Sequence, residues 1–200
     1  MILALTGSSV DGPLYRDVVD LAHRSPAWLD GVVAAWSAYG LAVFALLMVV
    51  GWWRARKVDA PAGMTALAVP VAVLVAFGAD SGLKLLVREN RPCHSLPFST
   101  LEACPGPGDW SFPSNHTAIA AAAAVALFFV SRTLGVLASG CAVAMAASRV
   151  WVGVHYPHDV LAGAFVGGLV AFLVMTVLRH RPRGLAGRLA ATRLRPLLMS

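Results

Sequence analysis

The stretch 148-SRVWVGVHYPHD-159 sets an arginine, a histidine and an aspartate between two apolar runs. The runs decide the fold, because each falls within the length of a membrane-crossing helix. The polar stretch between them raises the functional question. A cation held in hydrocarbon costs several kcal/mol, so Arg149 at the end of a long apolar segment needs a reason, and an anionic ligand is one.

The rest of the chain agrees with the apolar reading. Of its 200 residues 58% are hydrophobic and only 13% charged, where a soluble domain carries about 25%; mean hydropathy is +0.71. The sequence is that of an all-α integral membrane bundle. Its opening, MILALTGSSVDG, lacks the basic start and the apolar core of a cleavable signal peptide. A net charge of +6 does not indicate nucleic acid, because no basic patch interleaved with aromatics occurs. Basic residues beside membrane spans are topology determinants instead.

Five segments are expected to span: 31–53, 64–87, 115–131, 133–150 and 160–178, the third and fourth joined by a turn at Arg132. Segment 11–24, with Leu14, Val18, Leu21 and Ala22 at helical spacing, is too short and too charged to cross and is expected as an amphipathic interfacial helix. Ser25-Pro26 then resembles a cap with proline in the first turn of the next helix. The chain is expected to be one domain over 1–200: interfacial helix 11–30, transmembrane bundle 31–178 and basic cytoplasmic tail 179–200. One side carries Arg54, Arg56, Lys57, Arg132 and arginines 179, 181, 183, 188, 193 and 195 against the single acid Asp59. The positive-inside rule makes that side cytoplasmic. Arg16, Arg24, Lys84, Arg88, Arg91 and Arg149 fall on the outer side with the other acids.

The long connection 88–113 is rich in Pro, Gly and Ser and holds Cys93 and Cys104 on the expected oxidising side. A disulfide between them is one reading; two free thiols in a cytoplasm-facing loop is the other. Cys141 lies within a span and reads as a small packing residue.

Three polar clusters reach the outer side: 84–92 (KLLVRENRP), 112–117 (FPSNHT) and the opening stretch. Singly each has an ordinary explanation. Lys84 and Arg91 can snorkel to headgroups, His116 can make one interfacial hydrogen bond, and His155 with Asp159 can form a structural pair. Lys84 and Arg91 are two helical turns apart and so face one direction; Asp80, one turn before Lys84, is expected to pair with it. His158, His94 and His23 read as non-catalytic. Together, two histidines, three cations and a carboxylate suit phosphoryl transfer: cations stabilise the non-bridging oxygens, one histidine attacks phosphorus, a carboxylate fixes its tautomer, and the other histidine protonates the departing oxygen.

Lys84-x6-Arg91-Pro92, Pro113-Ser114-Asn115-His116 and Ser148-Arg149-x5-His155-x3-Asp159 resemble the three signature motifs of the type 2 phosphatidic acid phosphatase superfamily, in the family's order. The resemblance implies His155 as nucleophile assisted by Asp159, His116 as general acid, and Lys84, Arg91, Ser114 and Arg149 on the phosphoryl oxygens, without metal or cofactor. Asn115 stands where the family usually has glycine; asparagine tolerates unusual backbone angles, and its side chain can add a donor. The form HYPHD and the N-terminal segment look most like the bacterial bacitracin-resistance type, which acts on undecaprenyl diphosphate at the outer face of the cytoplasmic membrane. A decaprenyl carrier, a prenyl-phosphosugar, phosphatidic acid or phosphatidylglycerol phosphate are alternative substrates, and a homo-oligomer is compatible with the sequence. A lipid-phosphate transporter that binds without hydrolysis is the rival of another class. Transporters place polar sites at mid-membrane within internal repeats, whereas this chain has no repeat and gathers its ionisable groups at one end.

Overall fold

The structure is a computed structural model and describes residues 7–96, 98–179 and 198. The tail arginines 181, 183, 188, 193 and 195 lie outside the described residues. The helices are α1 (Ser8–Arg24), α2 (Ala27–Tyr39), α3 (Leu41–Ala55), α4 (Ala60–Val87), α5 (Pro92–Ser95), α6 (Asn115–Phe128), α7 (Arg132–Trp151) and α8 (Pro157–Arg179).

The bundle is built around α6, which packs most extensively on α8, α7 and α4. Its run of alanines explains why. Ala118, Ala120, Ala122, Ala123, Ala124 and Ala126 are all buried, on every side of the helix, and a helix apolar all round belongs in the middle. Small side chains let the neighbouring backbones approach. On α8, a Cβ at Gly163 would press on the Ser114 carbonyl oxygen and one at Gly167 on that of Ala118, so the α6–α8 contact is made backbone to backbone.

Among the described residues three helices are long and apolar enough to cross a membrane: α4, α7 and α8. A fourth crossing is available if α2 and α3, bent by 54°, count as one. The expected straight span 31–53 is therefore a bent pair, broken at Gly40, where a Cβ would meet the Trp36 carbonyl oxygen and the Met145 side chain. Helix α6, at 14 residues, falls short of the ~17–25 residues of a full span, so the structure supports three or four crossings by length where five were expected. Arg132 is not in a turn but opens α7, behind the break at 129–131.

Helix α1 starts earlier than expected, and Asp11 is a non-helical kink within it. Its buried face is Tyr15, Val19 and Ala22, whereas Leu14 and Leu21 point outward. The expected stripe of Leu14, Val18, Leu21 and Ala22 omitted the tyrosine. Tyr15 is buried because its hydroxyl donates to the Gly153 carbonyl oxygen at 2.8 Å while its ring packs on Phe98 and Tyr156. Pro26 occupies the N-cap of α2 rather than its first turn, and the Ser25 hydroxyl turns back to the Leu21 carbonyl oxygen.

Replacing Gly167 by alanine is expected to destabilise the protein by about 1–3 kcal/mol through overpacking. Gly78→Ala, on α4 with open space around it, is expected to be neutral or stabilising by up to about 1 kcal/mol. Equilibrium unfolding in mixed micelles reads both, and equal stability of the two variants would contradict the close α6–α8 contact.

Candidate active site

The site begins where α7 stops. After Trp151 the chain turns at Gly153, whose φ of +86° is left-handed and where a Cβ would also meet Thr100 and Tyr15. The turn drives Val154, His155 and Tyr156 into the protein before Pro157 opens α8. Asp159 then falls in the first turn of α8, where the N-terminal dipole favours an acid, and one helical turn beyond His155. Its Oδ2 accepts from the Tyr156 backbone N–H (2.8 Å), lies 3.2 Å from His155 Nδ1, and accepts a short hydrogen bond from the Ser111 hydroxyl. A proton on Nδ1 shared with this carboxylate leaves Nε2 as the acceptor, its lone pair turned to the Arg91 guanidinium. Burial pushes the His155 imidazolium down to about 3, against the pull of Asp159, so the ring is neutral at physiological pH.

The first cluster meets that ring from the side. Arg91 Nη1 lies 3.1 Å from His155 Nε2 and donates to the Val154 carbonyl oxygen at 3.0 Å. Its Nε and Nη2 donate to the Asp109 carbonyl oxygen and carboxylate at 2.8 and 2.9 Å. Lys84 Nζ donates to the Trp110 carbonyl oxygen at 2.8 Å. Helical spacing is not what brings these two cations together. Helix α4 ends at Val87, Arg88 is left-handed (φ 51°, ψ 46°), and Arg91 lies in extended chain; the reversal at Arg88 folds Arg91 back. The expected Asp80–Lys84 pair does not form. Both Asp80 carboxylate oxygens are buried without a hydrogen-bond partner, because Lys84 reaches into the loop instead.

The second cluster is stitched to the third through the backbone, the Ser114 N–H donating to the Asp159 carbonyl oxygen at 3.1 Å. Ser114 is fully buried at the N-cap of α6 and its hydroxyl accepts from Thr117 at 3.3 Å. Asn115 and His116 form the first turn; Asn115 Oδ1 is buried without a partner. His116 is part-buried and lies within electrostatic reach of Arg149, Glu102, Arg91 and Lys84. Arg149 is buried near the end of α7, hydrogen-bonded to Ser37 and paired with Glu102 at 3.1 Å. All eight residues singled out in the sequence thus line one end of the bundle.

Four residues of this end were not foreseen: Ser37, Glu102, Asp109 and Ser111. The signal for two of them was present, since buried cations require acids and Glu102 and Asp109 are, with Glu89, the acids of the connection 88–113. Partial burial alone raises the Asp109 carboxyl, but the Arg91 hydrogen bond and the charges of Arg91 and Lys84 outweigh it and hold it below the usual carboxylate range. The loop itself is cross-braced, with Cys93 and Cys104 at disulfide-bonding distance and their Cα atoms 6.0 Å apart. His94 and His23 are on exposed contacts, with the Pro105 carbonyl oxygen and Ser99. Among the described residues two groups have ligand atoms close enough to share a cation, Cys93–His94–Cys104 and Glu89–His158–Asp159. The sulfurs of the first are bonded to each other, and in the second His158 Nε2 is hydrogen-bonded to Glu89, with Asp159 Oδ1 3.4 Å from the same nitrogen.

Because Asp109 is half exposed, its competition with an anion for Arg91 is worth only about 0.2–1 kcal/mol. Asp109→Asn is therefore expected to tighten inorganic phosphate about 1.5- to 5-fold, measured by titration of the purified protein. Weaker binding would show that Asp109 holds Arg91 in place rather than competing for it.

Residues 65–183 match the PAP2 superfamily. The chain is 34% identical over 162 residues to an undecaprenyl-diphosphatase of Sulfolobus acidocaldarius, across 78% of this chain and 73% of that protein. It is 30% identical over 164 residues to the undecaprenyl-diphosphatase BcrC of Bacillus subtilis, across 80% of each. The crystal structure of the first transmembrane PAP2 type phosphatidylglycerolphosphate phosphatase from Bacillus subtilis superimposes with a TM-score of 0.67 over 88% of both chains at 23% identity, a likeness of fold.

Proposed function

The chain belongs to the PAP2 superfamily and is a membrane phosphoester hydrolase of that type, and from that premise we propose that it removes the terminal phosphate of a polyprenyl diphosphate by way of a phosphohistidine. The observation that carries the reading is the state of His155: Nδ1 is 3.2 Å from Asp159 and Nε2 is beside the Arg91 guanidinium.

In this mechanism Nε2 of His155 attacks the terminal phosphorus. The bond to the bridging oxygen breaks, and His116 gives that oxygen a proton, so that the lipid monophosphate leaves. Water, giving its proton to His116, then attacks the phosphohistidine, and inorganic phosphate departs with His155 restored. Asp159 supports the positive charge that develops on the ring. Lys84, Arg91 and Arg149 neutralise the non-bridging oxygens in a site where water is scarce and such charges act strongly. Ser114 and Asn115 add donors at the start of α6, where free backbone N–H groups favour an anion. No metal has a part in these steps.

The two undecaprenyl-diphosphatases support the polyprenyl substrate, as does the HYPHD form of the third motif. The substrate places the protein in the recycling of a lipid carrier for cell-wall synthesis. The protein is then multi-pass in the bacterial cytoplasmic membrane, with α6 as a fifth crossing, α1 at the interface, the site on the extracytoplasmic side and the basic tail in the cytoplasm. The domain reading is a single phosphatase unit over the whole chain.

Purified protein is expected to release phosphate from polyprenyl diphosphate faster than from phosphatidic acid, phosphatidylglycerol phosphate or a prenyl-phosphosugar. His155→Ala is expected to lower that rate by ~10³-fold or more, and His116→Ala by ~10²–10⁴-fold. Comparable release by His155→Ala would sink the nucleophile assignment. A folded wild type that binds these lipids but releases nothing would favour a transporter. Sidedness is read separately: a cysteine at position 131, in a Cys141→Ala background, is expected to react with an impermeant reagent only after the membrane is opened, and reaction from outside would invert the orientation.

A further inference from the structure

His158 precedes Asp159 and takes no part in the steps above, yet each of its side-chain nitrogens meets a carboxylate. Nδ1 lies 2.8 Å from Asp11 Oδ1 and Nε2 lies 3.0 Å from Glu89 Oε1. Its backbone N–H donates to the other Asp11 oxygen at 2.7 Å. The ring stacks on Tyr156 (5.4 Å between centroids, 15° between planes) and on Phe112 (5.8 Å, 29°). It is therefore held in position and in plane.

An ionised carboxylate only accepts hydrogen bonds, and a neutral imidazole has a single N–H to give. With both carboxylates ionised, satisfying Asp11 on one edge and Glu89 on the other takes a proton on both nitrogens. The charged groups facing the ring are Asp11 from α1, Glu89 from the α4–α5 connection and Asp159 from α8 itself, with Nε2 at 3.4 Å from Asp159 Oδ1. Glu89 and Asp159 are buried, and three carboxylates gathered around a neutral ring repel one another.

The two oxygens of Asp159 are treated differently. Oδ2 is fixed by Tyr156, Ser111 and His155. Oδ1 is buried without a hydrogen bond, and His158 Nε2 faces it from just beyond bonding distance. We propose that His158 is a positioning residue for phosphoryl transfer, an imidazolium that clamps Asp11 to Glu89 and faces Asp159 Oδ1, so that Asp159 keeps its carboxylate charge on His155 Nδ1. The role rests on the assignment of His155 and Asp159 under the proposed function. It also makes α1 part of the site, because Asp11 is the far jaw of the clamp and the end of α1 abuts Glu89, where a Cβ on Gly7 would collide with the carboxylate.

Two readouts on the full-length protein test this. In ¹⁵N-histidine NMR in micelles, the His158 signal is identified by its absence from His158→Gln or His158→Lys. It is expected to show both nitrogens protonated at pH 7, with His155 protonated on Nδ1 in the wild type and redistributed between its nitrogens in His158→Gln. A neutral His158, or a His155 signal indifferent to the substitution, overturns the proposal. In phosphate-release kinetics His158→Gln is expected to lower kcat about 10- to 100-fold, the range for a residue that acts through a primary group, with KM little changed. His158→Gln combined with Glu89→Gln, which removes one acid along with the cation, is expected to recover most of that loss. Equal slowing in the single and double variants overturns the electrostatic role and leaves a merely structural one. A wild type that releases no phosphate from any lipid overturns the phosphatase reading, while the protonation of His158 is still decided by its NMR signal.

Discussion

Three basic side chains are buried at one end of an apolar bundle, and the surrounding structure is shaped by the need to give each an acceptor. A buried cation left alone would be too costly to keep. Lys84 takes the Trp110 carbonyl oxygen, Arg91 takes Asp109 and the Val154 carbonyl oxygen, and Arg149 takes Ser37 and Glu102. All five acceptors lie outside α4 and α7, in the connection before α6, in the turn before α8 and on α2. The cations therefore dictate where those segments go. The same arrangement suits phosphate, since groups that meet carboxylates and carbonyl oxygens in this way are already desolvated and aimed when an anion arrives.

Holding the cations is only half of the construction, because the histidines must reach the same place. Two backbone features achieve that. The left-handed turn at Gly153 lets His155 enter the protein before α8 begins, and the Ser114 N–H to Asp159 carbonyl bond ties the start of α6 to the start of α8. The glycines of α8 let the two helices meet with no side chain between them. Helix starts hold side chains more firmly than loops do, and here His116 and Asp159 belong to first turns, while His155 is held in the turn before α8.

Much of this was legible in the chain. The apolar runs announced the helices, and the third motif offered His155 and Asp159 as a pair, which the structure brings to 3.2 Å. The reading failed where tertiary contacts override local pattern. Period alone made Lys84 and Arg91 neighbours on a helix, but α4 unwinds at Arg88 and the loop brings Arg91 back. Period also paired Asp80 with Lys84, whereas the lysine gains a carbonyl acceptor farther away. Ser111 and Ser37 left no signal, since a serine in a loop or in an apolar helix has no pattern to betray a partner 48 or 112 residues distant. The bend at Gly40 was hidden for a similar reason: a lone glycine in an apolar run is common, and only the packing of Trp36 and Met145 makes it a hinge point.

The shortness of α6 bears on where chemistry can occur. At ~1.5 Å per residue, its 14 residues cover about 21 Å, against a hydrocarbon layer about 30 Å thick. On the proposed reading, in which α6 is a crossing, a helix of that reach enclosed by longer ones cannot bring both ends to the headgroup level, and one end stays sunken within the bundle. On that reading the sunken end is the polar one that carries Ser114, Asn115 and His116, a floor below the level of the lipid heads to which water and phosphate are drawn. On the proposed reading, a lipid phosphate reaches His155 by dipping its head into a well, and its hydrocarbon tail stays among its neighbours throughout.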